Sequence, residues 1–217
     1  MALGRRHQLR VTEDEARAIA RALATELRSP GFSERIAACY LDRPGFPLLY
    51  RARSHPDTAL HVQALVSSSA PERAWVEVVE ARRGAAETHR LDVARNALSR
   101  CLRARDAGEL LPALPTGLRP ALRLTFLREQ FANGWEVSVD RELGCRRAQV
   151  APARLPGAVV TLAWASQSPP EWLTGLVEGL ARADLYVEGM RVAEPGTPSE
   201  ARRVRLLRGD WAEELTP

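Results

Sequence analysis

The chain has 217 residues, of which 45% are hydrophobic and 27% charged, a composition typical of globular proteins that excludes a largely disordered chain. No apolar run approaches the roughly 18 residues of a membrane-spanning helix, and the N-terminal residues do not resemble a signal peptide, so we expect a cytoplasmic protein without a transmembrane segment. All 31 basic residues are arginine and the net charge is +4, which favours anionic partners only weakly because acidic residues are nearly as numerous.

The first half of the chain predicts a helix followed by short strands. Residues 12–27 have apolar side chains at helical intervals, with Thr12 as the N-cap and Glu15 at the capping-box position. Strands are then predicted over residues 37–41, 59–67 and 74–81, and helical spacing returns over residues 91–105.

The clearest element of the second half is a β-hairpin. Strands over 121–131 and 135–143 flank Asn133-Gly134, which is a strong two-residue turn signal. A further strand is predicted over 158–164, and a helix over 171–182 with Pro170 in its first turn. This succession predicts an α+β fold with a large antiparallel sheet that can close into a β-barrel with flanking helices.

Five segments, in order and over nearly the whole chain, resemble one known family. Residues 120–131 (PALRLTFLREQF) and 135–143 (WEVSVDREL) are similar to two consecutive strands of that family. The other three segments are residues 38–44, 170–173 and 184–190. The family is the VTC domain, or polyphosphate polymerase domain, of the triphosphate tunnel (CYTH-like) superfamily. The resemblance implies a single tunnel domain over residues 1–217, with 194–217 as a tail of undefined packing.

In that family, arginines and lysines inside an antiparallel barrel hold a triphosphate or polyphosphate, and glutamates hold manganese or magnesium. The resemblance assigns a phosphate-binding set to this chain, which is Arg6, Arg10, Arg90, Arg128, Arg141 and Tyr186. It also assigns further tunnel-facing positions, which are Gln8, His61, Gln63, Glu77, Glu136 and Asp140.

Several matching positions lack the functional group of the family. Gln8 and Thr161 stand where the family has metal-binding carboxylates, and Glu136 stands where it has a tunnel arginine. A hard divalent cation needs several anionic oxygens, and the remaining Glu77, Glu136 and Asp140 do not reproduce the set of the family. We therefore predict no metal site, with Mn²⁺ or Mg²⁺ as a cofactor only if the chain is active.

The same residues allow structural interpretations. Arg6 and Arg10 could lie on the surface near the N-terminus, and Arg128 could form a surface pair with its neighbour Glu129. Glu77 and Glu136 could instead pair with the tunnel arginines, because a buried arginine without phosphate needs a partner. His61 is compatible with a satisfied position in the core. An arginine-rich run at 202–205 is compatible with a solvated face or with an anion-binding patch.

Three functions follow from this comparison. The preferred one is a VTC-like domain that is catalytically degenerate and binds polyphosphate or a nucleotide triphosphate through its tunnel arginines. The alternatives are a noncatalytic scaffold with a plugged tunnel that binds a partner protein, and an active metal-dependent polyphosphate polymerase. Nucleic acid is not an expected partner. Bacterial members of the family are often associated with membrane or coat proteins, but nothing in this sequence identifies such a partner.

Overall fold

The computed structural model describes residues 2–82, 85–104, 116–147, 150, 152–164 and 169–193. The strands are β1 (Ala2–Val11), β2 (Phe32–Asp42), β3 (Leu60–Ser67), β4 (Arg73–Arg82), β5 (Ala85–Ala94), β6 (Arg119–Ala132), β7 (Trp135–Arg146), β8 (Ala153–Arg154), β9 (Ala158–Trp164) and β10 (Ala181–Arg182). The helices are α1 (Glu13–Glu26), α2 (Pro47–Ser54), α3 (Arg95–Ala104), α4 (Glu171–Val177) and α5 (Leu185–Val192), with a 3₁₀ turn over Pro56–Thr58.

Eight of these strands form a closed antiparallel barrel. Their order around the ring is β1-β5-β4-β3-β2-β6-β7-β9, and β9 closes it by pairing with β7 on one side and β1 on the other. The two-residue strands β8 and β10 extend the edges at β7 and β1. The structure therefore confirms the predicted α+β fold with an antiparallel barrel and flanking helices.

Helix α1 covers one outer face of the barrel. Its predicted capping box is present, since Thr12 Oγ1 accepts from the Glu15 amide and the Glu15 carboxylate accepts from the Thr12 amide. Leu23 packs in one core cluster with Val137 of β7 and Val160 of β9, and burying a side chain of this size contributes roughly 1.5–3 kcal/mol. Because successive strand residues face opposite sides, the neighbours of these valines on β7 and β9 face the barrel interior.

The β6–β7 hairpin is confirmed with the predicted turn. Gly134 has a φ of 72°, a left-handed conformation that glycine adopts without steric cost. From this turn the register runs through Ala132 opposite Glu136 to Arg128 opposite Asp140. The turn therefore fixes which charged residues of the two strands lie side by side.

One end of the barrel is filled by aromatic and apolar side chains beneath α5. Tyr186 of α5 stacks on Tyr40 of β2 at 5.0 Å between ring centroids and shares a core cluster with Leu122. Its hydroxyl donates to Asp42 Oδ2 at 2.8 Å, and the same buried carboxylate accepts from the Leu48 amide at the start of α2. Asp42 thus ties α2 and α5 to the barrel and closes this end.

Two predicted segments differ in the structure. Residues 91–94 continue β5, and α3 begins only at Arg95, because β5 stays hydrogen-bonded to β4 as far as the pair Arg73–Ala94. The predicted helix over 171–182 ends at Val177 as α4, and β10 then pairs with β1. In both places tertiary strand pairing outweighs local helical periodicity.

Smaller differences concern an element boundary and a cap. Strand β2 begins at Phe32, five positions before the predicted start, and Pro170 is the N-cap of α4 where a first-turn position was predicted. Within the described residues, no helix has the length and apolarity that crossing a membrane requires. The tail 194–217, with its run at 202–205, lies outside the described residues.

Candidate functional site

The end of the barrel opposite α5 opens into a cavity of about 240 Å³. Its wall is built from side chains at alternate positions of the strands, as barrel geometry requires. Phe32 and Trp75 supply aromatic surface. Four arginines and four carboxylates line it, namely Arg6, Arg73, Arg90, Arg128, Glu34, Glu77, Asp92 and Glu136. The interior is therefore highly charged but carries no excess of positive charge.

The first ion pair of the cavity joins β1 to β4. Arg6 Nη1 lies 3.0 Å from Glu77 Oε2, and the same oxygen accepts from Gln63 Nε2 at 2.8 Å. Trp75 Nε1 donates to the other oxygen at 3.2 Å. Burial raises the pKa of Glu77, but the charges of Arg6 and Arg128 and these hydrogen bonds hold it below its ordinary value. Glu77 is therefore an ionised carboxylate whose two oxygens are already engaged.

The second ion pair joins β6 to β7. Arg128 Nε and Nη2 donate to the two oxygens of Asp140 at 2.8 Å each, and Asp140 is 0% exposed. Burial lowers the pKa of the Arg128 guanidinium, but the charge and hydrogen bonds of Asp140 raise it above its ordinary value overall. Such a bidentate pair is the strongest arrangement available to these side chains, so Arg128 is a fixed part of the wall.

The outer face of the same hairpin carries a second, separate pair. Arg141 Nη2 lies 3.2 Å from Glu129 Oε2, and both side chains lie on the side of the strands opposite Arg128 and Asp140. The structure therefore does not bring Arg141 to the cavity with Arg6, Arg90 and Arg128. It also separates Glu129 from Arg128, which are neighbours in sequence but face opposite sides.

The mouth of the cavity contains carboxylates bound by neutral donors. Gln130 Nε2 donates to Glu136 Oε1, so the partner of Glu136 is an amide and not an arginine. Glu34 Oε2 on β2 accepts from the hydroxyl groups of Ser67, at the end of β3, and Ser69. These contacts leave the charges of Glu136 and Glu34 uncompensated by a direct cation among the described residues.

Arg90 lies at the rim of the cavity. Its guanidinium stacks 4.3 Å from the centroid of the Trp75 ring, and its Nε is 3.6 Å from Asp92 Oδ1. The side chain is 38% exposed. Of the arginines in the cavity that the sequence predicts as phosphate ligands, Arg90 is held more loosely than Arg6 and Arg128.

Comparison with known proteins bears on the fold. No protein family model matches the chain, and no curated protein matches it. A candidate adenylate cyclase of Bacillus halodurans aligns with a TM-score of 0.51 and 10% identity, over 81% of this chain and 86% of that one. The chain has the triphosphate tunnel fold.

Two further structures align with lower scores. A protein of Pyrococcus horikoshii OT3 has a TM-score of 0.48 and 15% identity over 88% of this chain and 98% of that one. A candidate adenylyl cyclase of Hippeastrum, described as having a dominant triphosphatase activity, has a TM-score of 0.46 and 12% identity over 82% and 85% of the two chains. The fold assignment rests on the first alignment and on the closed barrel, whose interior is the tunnel.

The closed end of the tunnel holds three of the other predicted residues. Arg10 pairs with Glu188 of α5 and donates to the Pro156 carbonyl at 3.1 Å, and burial lowers its pKa. His61 Nε2 lies 3.2 Å from Asp184 Oδ2 at the start of α5. Tyr186 donates its hydroxyl hydrogen to Asp42. These contacts attach α5 to the barrel, and they separate Arg10 and Tyr186 from the open cavity.

A second cavity, of about 280 Å³, lies toward this closed end. Gln8 and His61 line it, and Gln8 Nε2 is 3.5 Å from Thr161 Oγ1. Arg6 lines both cavities. The Arg6 side chain therefore lies between the two cavities.

The donor set of the tunnel does not fit a hard divalent cation. In the part of the chain that the structure describes, no three His, Cys, Asp or Glu side chains are grouped to hold a metal ion. Glu77 and Asp140 are each bound to an arginine, and Glu136 accepts from an amide. Mg²⁺ and Mn²⁺ need several oxygen ligands that are available for coordination, and both oxygens of Glu77 and of Asp140 are already engaged.

Sequence reasoning missed the polar cluster at the mouth. Glu34 faces the cavity because β2 begins at Phe32, whereas the predicted strand began at residue 37. Thr88 was missed because the sequence pattern predicts no strand over residues 85–90, where the structure has the first part of β5. A period-two count extended backwards from Tyr40 would have placed Glu34 on the inner face.

Proposed function

We propose that the chain is a noncatalytic, VTC-like domain whose tunnel arginines now serve the structure, so that the barrel works as a scaffold. The observation that carries this proposal is the pairing of Arg6 with Glu77 and of Arg128 with Asp140. Both pairs are largely buried and connect different strands. The cations that would hold a phosphate chain in the related family are used here to neutralise carboxylates of the same barrel.

Charge balance supports this proposal. A bound polyphosphate needs cationic donors in excess of the carboxylates around it. Here the arginines and carboxylates that line the cavity are equal in number, and the buried Asp140 adds a further negative charge beneath Arg128. An entering polyanion would have to displace Glu77 or Asp140 from its arginine, which leaves a buried carboxylate unpaired at a high cost.

The resemblance to the VTC family supports the VTC-like part of this proposal. Five segments match in order, and three of the matched arginines, Arg6, Arg90 and Arg128, line the cavity of the barrel. The substitutions Gln8, Thr161 and Glu136 remove two metal-type carboxylates and reverse one tunnel charge. We therefore propose a single VTC-like domain over residues 1–217 without polyphosphate polymerase activity, in which the outer surface binds a partner protein.

A second candidate function is binding of polyphosphate or a nucleotide triphosphate at the open end. The observation that favours it is the rim: Arg90 is 38% exposed and its closest carboxylate contact is 3.6 Å long. Arg73 lines the same rim and lies 3.9 Å from the same Asp92. These two arginines are the most available for a phosphate oxygen, with Arg6 and Arg128 behind them.

Calorimetric titration with tripolyphosphate, with and without Mn²⁺, tests these functions. The scaffold predicts no binding heat in either condition. Binding that is independent of metal would support the second candidate, and binding that Mn²⁺ strengthens would overturn the noncatalytic proposal. An Arg90→Ala variant is the control, because rim binding would require Arg90 whereas the scaffold would not.

A further inference from the structure

The two sides of the open cavity carry opposite charge. On β1, β4 and β5, three arginines, Arg6, Arg73 and Arg90, face two carboxylates, Glu77 and Asp92. This basic wall holds one positive charge in excess. At the rim of this wall Arg73 and Asp92 are solvent-exposed, whereas Arg6 and Glu77 lie deep in the tunnel.

The facing wall is acidic. On β2, β6 and β7, three carboxylates, Glu34, Glu136 and Asp140, surround one arginine, Arg128. Arg128 is paired with Asp140. Among the described residues, the other two carboxylates, Glu34 and Glu136, accept hydrogen bonds from neutral side chains only. The acidic wall is therefore able to accept a cationic group.

The basic wall holds two buried polar atoms that lack a hydrogen-bond partner in the described structure. They are the Oγ1 of Thr88, on β5, and the Nε of Arg6, on the adjacent strand β1. Thr88 is 1% exposed and lines the cavity. A buried donor without a partner is unfavourable, and both atoms can donate to a carboxylate oxygen that enters the cavity.

The acidic wall also has an aromatic surface beside the carboxylate of Glu34. Phe32 and Glu34 are two positions apart on β2, so they share the inner face. Phe32 is 56% exposed, an unusual position for a large apolar side chain. An aromatic ring next to a carboxylate is suited to an ammonium or guanidinium group through charge and cation–π attraction.

We propose that the open cavity binds a small dipolar molecule, with an ammonium or guanidinium group at Glu34 and Phe32 and a carboxylate at Arg6 and Thr88. This inference rests on the proposed function, since only a tunnel that excludes polyanions leaves the cavity to such a ligand. The cavity of about 240 Å³ is smaller than the roughly 300–1,000 Å³ of pockets for drug-sized ligands. A ligand of the size of an amino acid matches it.

The test is calorimetric titration of the full chain with probes of defined charge. The dipolar probes are L-arginine, glycine, 4-aminobutyrate and 6-aminohexanoate, whose charge separation increases along the ω-amino acid series. Agmatine, which is only cationic, and glutarate, which is only anionic, are the matched controls. We expect at least one dipolar probe to bind about tenfold more tightly than either control, because each control loses one charge-assisted contact.

Two variants locate the ends of the ligand. Thr88→Val should weaken the best dipolar probe by about tenfold and leave folding unchanged, because the Thr88 hydroxyl has no partner within the described protein. Glu34→Gln should weaken the same probe and agmatine alike. Glu26→Gln, at an exposed position near the end of α1, is the control and should leave binding unchanged.

The outcomes separate this inference from the proposed function. No binding by any dipolar probe up to about 10 mM, or equal binding by wild type, Thr88→Val and Glu34→Gln, would overturn the inference and leave the scaffold standing. Tripolyphosphate binding tighter than that of every dipolar probe would overturn both. Binding of a dipolar probe that both variants weaken, without tripolyphosphate binding, would establish the inference.

Discussion

Replacing Asp140 by Asn should strongly destabilise the barrel. The change removes the charge that two 2.8 Å hydrogen bonds link to Arg128, whose side chain is only 13% exposed. Breaking a buried pair on one side costs roughly 3–5 kcal/mol, because the other charge stays buried without compensation. Glu77 and Glu136 also stabilise the charged guanidinium, so we expect the lower end, about 3 kcal/mol.

The measurement is urea unfolding, supported by thermal unfolding. For a chain of this size each kcal/mol corresponds to about 2–4 °C, so the melting temperature should fall by about 6–12 °C. The matched control is Glu129→Gln on the outer face of the same two strands, where the pair with Arg141 has side-chain exposures of 20% and 22%. This more accessible pair should contribute less than about 1 kcal/mol.

A double variant distinguishes lost charge compensation from lost packing. Arg128→Met combined with Asp140→Leu removes both charges and should restore most of the stability lost in Asp140→Asn, since apolar replacement of a buried pair is often neutral. A loss below about 1 kcal/mol for Asp140→Asn, or a double variant less stable than the single one, would refute the view that Arg128 is a structural cation.

Three further perturbations test other parts of the tunnel. The pKa of Glu77 is lowered in the folded state, so the ionised carboxylate stabilises the fold fully above the unfolded pKa of about 4.3, and this contribution is lost as pH falls through the folded pKa. In urea titrations, the free energy of unfolding of Glu77→Gln should therefore fall less between neutral and acid pH than that of the wild type, and an equal fall would contradict this. Glu136→Arg replaces a cavity carboxylate by a cation and should raise tripolyphosphate affinity at least about tenfold by calorimetry, whereas unchanged affinity would count against the charge argument. Tyr186→Phe removes the 2.8 Å hydrogen bond to buried Asp42 and should cost about 1.5–3 kcal/mol in urea unfolding, and no loss would show that the Asp42 backbone contacts suffice.

Much of the secondary structure follows from local patterns. Residues near each other in the chain determine a capping box and a two-residue turn, and the predictions around Thr12 and Asn133-Gly134 are confirmed. Periodicity was less successful where a strand passes directly into a helix. At residues 91–94 the apolar spacing suits a helix, but the backbone hydrogen bonds to β4 keep the segment in β5.

Part of the site was also accessible from sequence. The resemblance to the VTC family assigns Arg6, Glu77 and Arg128 to the tunnel, and the need to compensate buried arginines predicts internal ion pairs as an alternative. The partner of Arg128 was not accessible in this way. Asp140 takes that role because the hairpin register sets the two residues opposite each other, while Glu136, closer to the turn, meets Gln130 instead.

The sequence by itself determined the fold class, the hairpin and the capped first helix. Only the tertiary structure, through the register of the paired strands, decided which charges meet. Glu77 pairs with Arg6, which is 71 positions away in the sequence, and Asp42 accepts a hydrogen bond from Tyr186, which is 144 positions away. The physical reason is range: turns, caps and alternation depend on neighbouring residues, whereas an ion pair depends on the register of strands that are distant in sequence. That register pairs Arg6 with Glu77 and Arg128 with Asp140 inside the barrel.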